Sequence, residues 1–133
     1  MPNSIHKIAL VDDDRIFHHL TIKNLDVIPS ARILSFYDGQ EALSHLRENV
    51  ANLELIPTIM FLDINMPMMD GWMLLEELES TIPELLDKIH IHILTSSINR
   101  EDYARALAHP RVISYISKPL TAEKMEVVLN PTE

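Results

Sequence analysis

The sequence predicts an α/β domain built on a parallel sheet with helices on both faces. Five short apolar runs alternate with segments of helical periodicity. Five strands alternating with five helices imply a parallel sheet covered on both faces. Four of them end on a polar or charged residue, the end at which an open α/β sheet places its ligands.

The first strand is Lys7-Ile8-Ala9-Leu10-Val11, which runs into Asp12-Asp13-Asp14. Asp14 reads as the cap of a helix whose apolar face holds Ile16, Phe17, Leu20, Val27 and Ile28, interrupted by Asn24. Ala31–Phe36 is the second strand. Asp38 with Glu41 makes a capping box for a helix burying Ala42, Leu43, Leu46 and Val50. The third strand, Thr58–Leu62, stops at Asp63, and a helix from about Gly71 carries Leu74, Leu75 and Leu78. Ile89–Leu94 is the fourth strand. Asn99–Leu107 reads as a helix with a thin apolar face of Tyr103, Ala104 and Leu107. Val112–Ile116 is the fifth strand, and Thr121 caps a last helix burying Met125, Val128 and Leu129. There is no internal repeat, low-complexity tract or linker.

A chain of 133 residues suits one domain over 1–133, with no output domain beside it. Hydrophobic residues at 47% and charged residues at 23% allow an ordinary buried core. The net charge of -9 argues against a direct nucleic-acid partner. The absence of cysteine excludes thiolate and disulfide chemistry and fits a reducing compartment. No apolar run approaches the roughly 20 residues that span a bilayer. Met1–Lys7 lacks the apolar stretch of a signal peptide, so a cytoplasmic protein without membrane contact is expected. The chain ends soon after its last helix, which favours a stand-alone domain.

Asp12 and Asp13 leave the first strand at the same end as Asp63 leaves the third. If these strands are neighbours, three carboxylates converge, and their repulsion calls for a cation. Hard oxygen donors suit Mg²⁺, which keeps several waters and takes one or two protein carboxylates directly. Thr95 and Lys118 stand at the same ends of the fourth and fifth strands. A hydroxyl and a fixed ammonium beside an acid–Mg²⁺ pair suit a phosphoryl group, whose transfer needs positioning and charge neutralisation.

Val11-Asp12-Asp13-Asp14, the Asp-x-x-x-Pro-x-x-Asp-Gly stretch from Asp63 to Gly71, Thr95-Ser96-Ser97 and Lys118-Pro119 resemble the receiver domain of two-component response regulators. Single-domain regulators such as the chemotaxis one are the most similar by architecture. The resemblance covers almost the whole chain, in order and at the family's separations. It implies a flavodoxin-like, doubly wound fold of strand order 2-1-3-4-5. It implies Asp63 as phosphoacceptor and Asp13 as a direct Mg²⁺ ligand, with Asp12 acting through water and the Asn65 backbone carbonyl completing the protein's share. Thr95 and Lys118 would bind the phosphoryl group, and the Lys118–Pro119 bond would be cis. Thr95 and Tyr115 would form a switch acting on the face of the fourth helix, fifth strand and fifth helix. Asn65 and Ser97 would tune phosphoryl lifetime. The implied partners are a sensor histidine kinase or histidine phosphotransfer protein and an unidentified downstream protein, with the chain a monomer or a phosphorylation-dependent dimer.

Two other readings compete. An aspartyl-nucleophile phosphatase also carries its acid at a strand end, but uses Asp-x-Asp where this chain has Asn65. A phosphate-indifferent receiver acting as a binding module would be expected to have lost an acid or the lysine. His90 and His92 on one face of a strand, and Met66, Met68 and Met69 in a loop, are assigned no metal. His18-His19 are expected on a solvated helix surface. Gly39 and Gly71, the only glycines, exclude a glycine-rich nucleotide cradle.

Overall fold

Five strands, β1 (His6–Val11), β2 (Ala31–Phe36), β3 (Ile59–Asp63), β4 (His90–Thr95) and β5 (Val112–Ser117), pair in parallel in the order β2-β1-β3-β4-β5. The computed structural model describes residues 6–28, 30–96 and 99–130. Six helices occur among them: α1 (Arg15–Asn24), α2 (Gly39–Glu48), α3 (Gly71–Thr81), α4 (Pro83–Leu86), α5 (Arg100–Ala108) and α6 (Ala122–Leu129). This is the flavodoxin-like order expected of the sequence. None of these helices is long and apolar enough to cross a membrane.

The strands divide their apolar side chains between two cores, as a doubly covered sheet requires. Ala9, Val11, Met60, Leu62, Ile91 and Ile93 pack with Leu43, Leu46, Leu74, Leu75 and Leu78 on the α2–α3 side. Ile8, Leu10, Ile59, Phe61 and Leu94 pack with Phe17, Leu25, Met125 and Leu129 on the α1–α6 side. The caps follow the sequence. Asp14 accepts from the N–H groups of Ile16 and Phe17, Asp38 from Glu41 and Thr121 from Lys124. Glu41 returns the favour by accepting from the N–H of Tyr37.

The helix faces depart from expectation in three places. On α1 the buried side chains are Phe17, His18 and Thr21, while Ile16 and Leu20 face solvent. The apolar stripe misled because a polar side chain that finds partners can be buried, and His18 does so. Val50 lies beyond the end of α2 at Glu48, off its helical face, and is exposed. On α5 only Ala106 is buried; Tyr103 and Leu107 are exposed, as a helix over an edge strand permits. The one-turn helix α4, started by Pro83 and burying Leu85 and Leu86, was not foreseen. It makes α5 and α6 the fourth and fifth helices of the sequence reading.

Candidate functional site

Register alone brings the polar strand ends together. Val11 is level with Leu62, so Asp12 and Asp63 leave the sheet side by side. Asp63 is level with Leu94, one residue before Thr95, and Thr95 is level with Ser117, one residue before Lys118. Each step along the sheet therefore delivers the next chemical group to the same edge.

One ligand oxygen from each of Asp12, Asp13 and Asp63 falls within 4.8 Å of the others. Asp12 is fully buried, Asp63 nearly so, and Asp13 is exposed. Asp12 Oδ1 accepts from the Asp14 N–H at 2.9 Å, and Asp63 Oδ1 accepts from the Asn65 N–H at 3.0 Å. The remaining oxygens face Lys118 Nζ, at 2.5 Å for Asp12 Oδ2 and 3.5 Å for Asp63 Oδ2. The ammonium also sits over the Phe17 ring, 4.6 Å from its centroid. Apart from the ammonium, Asp12 Oδ2 is buried without a hydrogen-bond donor among the described residues. Three carboxylates against one ammonium leave two negative charges, and all the donors are hard oxygens. That donor set fits a divalent cation of the Mg²⁺ type.

Burial pushes the Asp63 carboxyl up to about 6; the Asn65 N–H and Lys118 pull against this, and the Asp12 and Asp13 charges add to it. Burial also opposes the charge of Lys118, but its hydrogen bond and charge pairing with Asp12, and then with Asp63, outweigh it and hold the ammonium above the ordinary lysine value.

The loop after Asp63 is held at several points. Gly71 N–H donates to the Ile64 carbonyl at 3.3 Å, Met69 N–H donates to Pro67, and Asp70 caps α3 through the Met73 N–H. Met68 takes a left-handed backbone with φ of 71°, and its side chain is almost fully exposed. A Cβ on Gly71 would lie 2.8 Å from both the Asp63 carbonyl oxygen and the Ile64 Cα, backbone atoms that cannot swing aside. Gly71→Ala is therefore expected to cost about 1–3 kcal/mol, and to displace Asp63. Urea unfolding reads the first effect, and the shift of the Asn65 amide resonance reads the second.

Thr95 is buried at the end of β4. The Lys118–Pro119 peptide is cis. Tyr115 lies on edge strand β5 with its ring edge-on to Tyr103 at 5.4 Å. Its hydroxyl is buried without a hydrogen-bond partner among the described residues, not in water as a simple edge-strand tyrosine would have it. The Asn65 side chain is exposed, and Ser97 lies outside the described residues. His92 is buried, stacked on Phe61 and bonded to Ser114 Oγ, while His90 is exposed. Burial, with a smaller contribution from His90, depresses the His92 imidazole to about 4. His18, expected on a solvated surface, is instead buried against the acidic loop: its Nε2 lies 2.7 Å from the Asp12 carbonyl oxygen. Its position four residues after the capping Asp14 was the available signal, since that spacing returns it to the loop.

The sequence pattern of the response regulator receiver domain matches residues 8–130. A two-component response regulator from Cytophaga hutchinsonii is 32% identical and superposes with a TM-score of 0.87 over 96% of both chains. RcpA, a cyanobacterial phytochrome response regulator solved in its phosphorylated form, is 28% identical, with a TM-score of 0.81 over 98% of both chains. The "Probable methanogenesis regulatory protein FilR2" of Methanothrix harundinacea is 30% identical over 120 residues, covering 90% of this chain and 76% of that one.

Proposed function

The chain belongs to the response regulator receiver family, and from that premise we propose that it accepts a phosphoryl group on Asp63 from the phosphohistidine of a sensor kinase or histidine phosphotransfer protein. Receiver domains are phosphoacceptors rather than classical enzymes. The carrying observation is the Lys118 ammonium facing both Asp12 and Asp63 inside a cluster of three acids.

At neutral pH a carboxyl titrating at about 6 is largely ionised, so Asp63 is available as a nucleophile. One of its oxygens forms the new O–P bond as the N–P bond to the donor imidazole breaks, the imidazole keeping the electron pair. Asp12, Asp13, Asp63 and the Asn65 carbonyl would hold Mg²⁺, with Asp12 reaching it through water. Mg²⁺, when bound, supplies positive charge against the phosphoryl oxygens. Lys118 neutralises further charge on the same group, and Thr95 offers its hydroxyl. Water later returns Asp63 to the free acid, at a rate that Asn65 and Ser97 tune.

The signal leaves through Thr95 and Tyr115. The inward hydroxyl of Tyr115 supports this path, because its burial ties the ring to the packing between β5 and α5. The responding face is α5–β5–α6, read by an unidentified protein in the cytoplasm or by a second copy. With Mg²⁺ and a small phosphodonor, mass spectrometry is expected to show one added phosphoryl group on the protein and none on Asp63→Asn. Labelling that survives in that variant would refute the assignment.

A further inference from the structure

Building on the receiver reading above, we infer that His18 is a positioning residue for the acidic pocket, fixing the peptide that aims Asp13 at the cation. β1 pairing ends at Val11, so the Asp12 carbonyl has no strand partner. The imidazole Nε2 at 2.7 Å is the one donor it has among the described residues. A carbonyl can only accept, so Nε2 carries the hydrogen. On the far side Nδ1 meets Ser35 Oγ on β2 at 3.1 Å, and the Tyr37 ring lies against the imidazole with centroids 4.4 Å apart. Arg15 closes the stack, its guanidinium 4.0 Å from the Tyr37 centroid. The imidazole thus has little freedom to rotate, and only 1% of its residue surface is exposed.

The consequence falls on Asp13. Its own carboxylate is exposed and, among the described residues, makes no hydrogen bond or ion pair, so none of them holds that side chain directly. Its direction is set by the backbone on either side. Before it, the Asp12 carbonyl is bonded to His18; across it, Asp12 Oδ1 accepts from the Asp14 N–H at 2.9 Å. His18 N–H in turn donates to the Asp14 carbonyl at 3.2 Å, tying the histidine to the same turn. Without the imidazole, the Asp12–Asp13 peptide loses the bond that fixes its carbonyl, leaving the Asp14 N–H bond to Asp12 Oδ1 as the remaining tie across the turn, and among the described residues the Asp12 carbonyl has no donor. Partners that orient metal ligands in this way are typically worth about 10–100-fold in metal affinity.

The test compares wild type with His18→Leu, which keeps apolar volume and removes the donor, and His18→Gln, whose amide can still donate from a similar reach. Two quantities are measured on the full chain: Mg²⁺ affinity by calorimetry, and backbone order of residues 12–14 by amide relaxation in chelator. His18→Leu is expected to weaken Mg²⁺ at least tenfold and to loosen Asp13 in the metal-free protein, with His18→Gln recovering most of both. Ser35→Ala, which removes only the outer contact, should show a smaller loss and guards against a variant that fails to fold. If a folded His18→Leu binds Mg²⁺ as wild type does and keeps Asp13 ordered, the inference is overturned, and equal losses in His18→Gln and His18→Leu overturn it too. Wild type that loses Mg²⁺ affinity on His18→Leu but accepts no phosphoryl group would leave the positioning role standing and remove the proposed function instead.

Discussion

Asp63→Asn is expected to stabilise the metal-free protein by about 3 kcal/mol near pH 8, with the gain fading as the pH falls toward 4. Burial holds the Asp63 carboxyl at about 6 in the fold against its ordinary 3.8. A carboxyl raised in this way favours the folded state when protonated. That benefit is fully present below 3.8 and is lost as the pH rises through about 6. Each pH unit between the two values is worth about 1.4 kcal/mol, which gives the size of the effect. Asparagine never ionises, so it keeps the benefit at every pH. Its side-chain oxygen can still accept the Asn65 N–H, and Lys118 keeps its shorter contact with Asp12. Urea unfolding of both proteins in chelator between pH 4.5 and 8 reads the difference. A gap that does not change with pH would show that burial does not hold Asp63 up. Added Mg²⁺ should narrow the gap by binding wild type in preference, since a ligand stabilises only the state that binds it.

The same cost explains what could be read from the sequence. Apolar runs that stop dead at Asp12, Asp63, Thr95 and Lys118 are legible because a sheet buried on both sides cannot tolerate such groups except at its open edge. Strand parity then distributes the core, so the sheet and its two faces follow from local pattern. The helix surfaces were less legible, because periodicity identifies a stripe but not what it meets. On α1 the apolar Ile16 and Leu20 lie outside and the polar His18 and Thr21 lie inside. For His18 the inversion is satisfied by the Asp12 carbonyl in the loop just before the helix and by the Ser35 hydroxyl on β2. The carbonyl is a local partner, but Ser35 becomes a neighbour only once β1 and β2 are paired. Tyr115 is a similar case: its edge-strand position was clear, but the burial of its hydroxyl depends on tertiary packing beside α5, whose Tyr103 ring meets the Tyr115 ring edge-on.

Lys118→Met should give the opposite result to Asp63→Asn, and a larger one. The ammonium lies 2.5 Å from Asp12 Oδ2, and among the described residues that buried oxygen has no other donor. Removing one partner of a buried pair leaves an uncompensated charge, which typically costs about 3–5 kcal/mol. Methionine keeps an apolar stem and removes the ammonium, together with its place over the Phe17 ring, so the loss reports charge rather than apolar packing. Because Lys118 also holds Asp63 down, its removal raises that carboxyl further above 6 and leaves more of it protonated at neutral pH. Phosphoryl acceptance should therefore slow even where Mg²⁺ restores the fold. Unfolding in chelator at pH 8 is expected to show the full loss, and at pH 5.5 a smaller one, as protonation of Asp63 removes part of the charge that the lysine no longer meets. Adding Asp63→Asn to Lys118→Met should recover more stability than Asp63→Asn adds to wild type, because two buried acids in contact with one ammonium do not contribute independently. Additive changes in the double variant would mean that Lys118 serves Asp12 alone, and that its contact with Asp63 at 3.5 Å carries no energy.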